Sequence, residues 1–139
     1  MNHYLATGDT YCNRFVQDFV YAYGGGSIPF VFEGANKTCD WLKKQAANPS
    51  SGWRKISYAE TQQCTEDGKL VLICSTYGKH ISLGMPWGHE TKNDGTWKSD
   101  SQMLRHAQAG GSSYYNVTYY HGWGTESSNP ITDYFVWEG

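Results

Sequence analysis

Near the start of the chain, apolar residues recur at helical spacing. Phe15, Val16, Phe19, Val20 and Tyr23 fall on one side of a helix. Asp9 or Thr10 can cap it, because a short side-chain oxygen accepts the free amide hydrogens of a first turn. Gly24-Gly25-Gly26 ends it, since glycine tolerates the left-handed C-cap. Ser27 to Gly34 is a loop or short extended piece, broken by Pro29. A second helix is predicted from Asn36 to Ala46, capped by Asn36 or Thr38 and stopped at Asn48-Pro49. Trp53-Arg54-Lys55-Ile56 leads to Ser57, which caps a short helical turn through Cys64 with Glu60 as its capping-box partner.

Beyond Asp67-Gly68 the pattern changes to strands. Lys69 to Cys74 holds the run Leu70-Val71-Leu72-Ile73, the mark of a strand buried on both faces. Tyr77-Gly78-Lys79 turns the chain into a partner strand from His80 to Pro86, where His80, Ser82 and Gly84 share a face. Trp87 to Gln102 is polar and long enough to be a functional loop. Met103 to Ala109, Tyr114 to His121 and Ile131 to Trp137 give three more strands. Helices first and an antiparallel sheet after them define an α+β class, in one domain over residues 1–139.

Composition narrows the function. A net charge of −2 carries no basic footprint for nucleic acid or an anionic membrane, so neither is an expected partner, and a monomer is expected. No stretch approaches a membrane span. Met1 to Ala6 lacks the basic start and apolar core of a signal peptide. The abundance of Tyr, Trp and Gly suits short strands, many turns and an aromatic-lined groove. The four cysteines, Cys12, Cys39, Cys64 and Cys74, have no zinc-site spacing, and neither a metal nor a cofactor is expected. If Cys12 is a free thiol, the other three allow one disulfide. Cys39 with Cys64 is the candidate pair, and the alternative is that all are reduced and buried.

Cys12 is the residue around which chemistry can be built. It falls in the first turn of its helix, on the face of Phe15, Val16 and Phe19, where the helix dipole favours a thiolate. The plainer reading is a small buried core cysteine. A nucleophile needs a base, and His80, opening a strand after a tight turn, is the best candidate. His106, on a strand, is its rival; His3, His89 and His121 are terminal, in a polar loop and beside a glycine-rich turn. Gln108, with His106 as runner-up, would orient the imidazole, both projecting from the same face of their strand; simple polar strand positions are the alternative. The Cys12 amide, with Tyr11 or Asn13, would stabilise an oxyanion.

The run Thr10-Tyr11-Cys12-Asn13-Arg14-Phe15-Val16, the strand at Leu70-Val71, Lys79-His80-Ile81-Ser82-Leu83 and Ala107-Gln108-Ala109-Gly110 occur in that order over most of the chain. Together they resemble the NlpC-type papain-like peptidoglycan hydrolases and amidases, especially the cell-wall amidase effectors and endolysins. The resemblance implies a papain-like fold, with the cysteine-bearing helix packed on a small antiparallel sheet. It also implies Cys12 as nucleophile, His80 as base and a polar third residue near Gln108. The substrate would be the peptide stem of peptidoglycan, with Trp87 and His106 lining the groove. The long segment after His80 departs from the compact hairpin of the family. For an effector, delivery to the periplasm without a signal peptide and a cognate immunity protein are expected. Two other readings remain: a non-catalytic wall- or carbohydrate-binding module using Trp87, Trp97, Tyr114, Tyr115 and Trp123, and acyl transfer on the same residues.

Overall fold

The apolar run after Asp67-Gly68 becomes the middle of the molecule. The computed structural model describes residues 12–30, 33–75, 81–89, 102–108, 114–118 and 132–139. Strand β2 covers Val71–Ser75, and every side chain from Leu70 to Cys74 is buried. Leu70, Leu72 and Cys74 join one core cluster, whereas Val71 and Ile73 join another. A strand buried on both faces needs cover on both, and the helices supply it.

Helices α1 (Cys12–Gly24) and α2 (Ala35–Ala46) cover one face, contributing Phe15, Val16, Val20, Cys39 and Leu42. Helix α3 (Tyr58–Glu66) covers the other, with Cys64 in its core and Tyr58 against it. Each such large apolar side chain contributes roughly 1.5–3 kcal/mol on burial. The remaining strands are β1 (Trp53–Ile56), β3 (Ile81–Gly88), β4 (Met103–Gln108), β5 (Tyr114–Thr118) and β6 (Thr132–Trp137). They form one sheet in the order β1-β6-β2-β3-β4-β5, and every pairing is antiparallel. The class is therefore α+β.

Local signals place most of these elements. The glycines after α1 end it: Gly25 and Gly26 have φ of 60° and 83°, and the Gly26 amide donates to the Tyr21 carbonyl at 3.0 Å. Ser57 and Glu60 form the expected reciprocal capping box on α3. Helix α2 departs from expectation. It starts at Ala35 with Gly34 as N-cap and no side-chain cap, so Asn36 and Thr38 lie inside it, and Thr38 is fully buried. Strand β1 is also a correction, since Trp53 to Ile56 was expected only as a lead-in to Ser57. Four residues are too few to show a period, yet Trp53 and Ile56 bury on opposite faces as the segment pairs with β6.

The disulfide differs too. Cys39 bonds to Cys74, not to Cys64. Cys39 lies on the α1–α2 face and Cys64 on the α3 face, so the sheet stands between them. Bridging a separation of 35 residues stabilises the fold by about 4 kcal/mol in the chain-entropy account.

Candidate functional site

Cys12 is the first residue of α1. The direction of the helix on the sheet decides what that first turn faces. At the far end, the Tyr23 hydroxyl donates to the Gly68 carbonyl at 2.9 Å, just before β2 begins. Phe19 and Tyr23 line a cleft of about 210 Å³ with Leu83, Met85 and Pro86 of β3. The C-terminal half of α1 thus lies beside the C-terminal half of β3. From Tyr23 back to Cys12 is 11 helical residues, roughly 16 Å at 1.5 Å per residue. From Met85 back to Ile81 is four strand residues, roughly 13 Å. Phe15 and Val16, near the Cys12 end of the helix, join the core cluster that also holds Ile81, the residue directly after His80 in sequence.

That end of the sheet is tightly held. Cys74 pairs with Ile81 on one side and with Asp133 of β6 on the other. The disulfide ties Cys74 to α2. Asp133 is 7% exposed, and its carboxylate faces the Lys55 ammonium at 3.1 Å and the Lys43 ammonium at 3.7 Å. Lys43 belongs to α2, so an ion pair and a disulfide both join that helix to the same end of the sheet. Sequence reading did not single out Asp133. Its signal was an acid directly before the buried run Tyr134-Phe135-Val136.

Among the expected site residues, His80 and Tyr11 lie outside the described residues, as do Trp97 and Trp123. The backbones of Asn13, Gln108, Tyr114 and Tyr115 are placed in α1, β4 and β5, and their side chains lie outside the description, as does that of Cys12. Gln108 closes β4 and pairs with Tyr114.

His106 and Trp87 are placed elsewhere than expected. His106 is fully buried and pairs with Gly84 of β3. A Cβ at Gly84 would meet Val71 at 3.0 Å, on the α3 face, so His106 points to that face too. Trp87 belongs to β3, not to a loop. Its ring lies 4.8 Å from Tyr58 and its indole N–H donates to Thr61 Oγ1 at 2.9 Å. Strict alternation would have put Trp87 with Met85 on the α1 face. The β3–β4 register shifts by one between Met85 and Gly88, and this bulge turns Trp87 to the α3 side. Both residues stand across the sheet from α1.

The third cysteine is chemically quiet. Cys64 is the free thiol among the described residues, and burial pushes its pKa above the usual 9.0. No cluster of three or more His, Cys, Asp or Glu among the described residues could hold a metal ion. None of the described helices is long and apolar enough to cross a membrane. Compared with models of known protein families and with curated protein sequences, the chain matches none.

Proposed function

We propose that this protein is a cysteine hydrolase of the papain-like, NlpC-type class that cleaves an amide bond in the peptide stem of bacterial peptidoglycan. What supports this reading is Cys12 as the first residue of α1, a helix whose Phe15 and Val16 share a core cluster with Ile81, the residue after His80. A helix N-terminus lowers a thiol pKa, and an adjacent imidazole lowers it further. In this reading His80 takes the Cys12 proton and the thiolate attacks the amide carbonyl. The Cys12 amide, with Tyr11 or Asn13, holds the oxyanion. The C–N bond then breaks, the His80 imidazolium protonates the leaving amine, and an acyl-enzyme remains. Water, deprotonated by His80, cleaves the thioester and restores the thiol. A polar third residue would orient the imidazole; Gln108, two places from His106 on β4, reaches it only if the strand end turns toward α1.

The alternative of a sugar-binding aromatic surface has less support, because the Trp87 ring is committed to Tyr58 and Thr61. The site of action in this reading is the periplasm or the cell wall, and an immunity protein would act by covering the groove beside Cys12. The test is digestion of purified peptidoglycan, with fragments identified by mass. New stem-peptide termini from the parent protein, none from Cys12→Ala, and superimposable circular dichroism melts are expected. Equal cleavage by parent and Cys12→Ala would sink the nucleophile assignment.

A further inference from the structure

We propose that the Cys39–Cys74 disulfide is a redox lock on the end of the sheet where β3 starts, so that the protein is competent only in an oxidising compartment. This rests on the hydrolase reading above for its functional consequence. Its structural part stands alone. Cys74 lies one residue from the end of β2 and pairs with Ile81, the first residue of β3. Its sulfur is bonded to Cys39, and both residues are fully buried. Helix α2 shares no backbone ladder with the sheet, because helical amides bond within the helix. It is held by buried Thr38 and Leu42, by Trp41 against Trp53, by the Lys43–Asp133 ion pair and by this bond. Asp133 of β6 pairs with Cys74 of β2, so two of those attachments act on one end of the sheet. Lys43 is 40% exposed, so the ion pair is partly screened and the covalent bond dominates.

A chain folding among reducing thiols carries Cys39 and Cys74 as a dithiol. On transfer to an oxidising compartment, one thiolate attacks the disulfide of a protein oxidant and releases that oxidant's thiolate. The second thiolate then displaces the other oxidant sulfur and closes Cys39–Cys74. Two protons leave the cysteines, and two electrons pass to the oxidant. Cys64 cannot replace either partner in the folded chain, because it lies on the other side of the sheet from both.

The experiment compares three samples well below their melting temperatures: oxidised parent, parent refolded in a phosphine reductant, and Cys39→Ala/Cys74→Ala. Each is assayed for peptidoglycan digestion and for amide hydrogen exchange. Reduction and the double substitution should each lower digestion at least tenfold. They should also speed exchange at least tenfold in 71–75 and 81–85 while leaving 57–66 unchanged. The reductant should have no further effect on the double variant. An ordinary thiol enzyme responds in the opposite sense, since a reductant protects its nucleophile. Unchanged exchange in 71–75 and 81–85 would overturn the lock. So would exchange that rises equally everywhere, or unfolding of both reduced parent and double variant, because the bond would then be a general staple. If the oxidised parent fails to cut peptidoglycan but exchange changes locally, the hydrolase reading falls and the lock stands.

Discussion

The Tyr23 hydroxyl hydrogen-bonds the Gly68 carbonyl at 2.9 Å, joining the end of α1 to the entrance of β2 across 45 residues of chain. This bond, with Phe19 and Tyr23 beside Leu83, Met85 and Pro86, seats the C-terminal end of α1 against β2 and β3. The direction of α1 decides whether Cys12 and the start of β3 share an end of the molecule.

Tyr23→Phe tests that relationship. The bond is exposed, so its loss should cost about 0.5–1 kcal/mol in urea unfolding. Exchange protection should fall most at 20–24, next to the lost bond. A variant as stable as the parent would mean that apolar packing alone orients the helix.

His80→Ala should abolish wall cleavage as completely as Cys12→Ala, and Gln108→Ala should reduce it less. Members of one catalytic unit are not additive, and an orienting group tunes the proton transfer without performing it. His106→Ala should behave differently. A fully buried side chain on the α3 face is lost, so stability should fall by roughly 2–4 kcal/mol while the folded fraction keeps its activity. Full inactivity of a folded His106→Ala, with mild loss in His80→Ala, would exchange their roles.

The fold was legible where one local rule governed one element. The run Leu70 to Ile73, the glycines after Tyr23 and the Ser57–Glu60 box each state their structure in adjacent residues. The misses have a common physical origin, which is that period-2 and period-3.6 patterns do not say which face of a sheet a residue meets. Cys39 and Cys64 both read as helical cysteines, and only the three-dimensional arrangement separates α2 from α3 by a sheet. Trp87 was read as the start of a loop, whereas β3 runs on to Gly88 across a one-residue bulge that leaves no mark in composition. Helix α1 was legible from the helical spacing of Phe15, Val16, Phe19 and Val20.

Cys64 should resist alkylation in the folded protein. Desolvation holds its thiol above the usual 9.0 and leaves it protonated at neutral pH, and 6% exposure denies a reagent access. Iodoacetamide at neutral pH should label Cys12 within minutes and Cys64 only after unfolding, read by mass spectrometry of peptides. Equal labelling rates would mean that Cys12 is a core thiol and not an activated one.

Acid should loosen the β1–β6–α3 corner first. Glu60 is held below its usual 4.5 by the Ser57 amide and then by Arg54, and Glu138 by hydrogen bonds from Arg54 and then from Lys69. A carboxylate with a depressed folded pKa contributes stability above its unfolded pKa, and that stability is lost as pH falls through the folded value. Unfolding free energy should therefore be insensitive to these two groups from neutral pH down to the ordinary glutamate range, then decline below 4.5. Glu60→Gln/Glu138→Gln should flatten that decline, and salt should shrink the difference because both groups face solvent. Ser57→Ala, which removes the cap itself, should cost about 1 kcal/mol at neutral pH.

The last prediction separates the wall from every other target. Peptidoglycan lies outside the cytoplasmic membrane, so a hydrolase of its peptide stems harms a cell only from the periplasm. Expressed in the cytoplasm of a Gram-negative host, the protein should be tolerated. Expressed behind an added export signal, it should cause lysis, and Cys12→Ala behind the same signal should not. Oxidation of Cys39 and Cys74 follows the same boundary, so exported protein should carry the disulfide and cytoplasmic protein the dithiol, as counted by alkylation and mass. The two readouts are independent, because thiol counting needs no activity. Equal toxicity in both compartments, or lysis that survives Cys12→Ala, would place the target somewhere other than the wall.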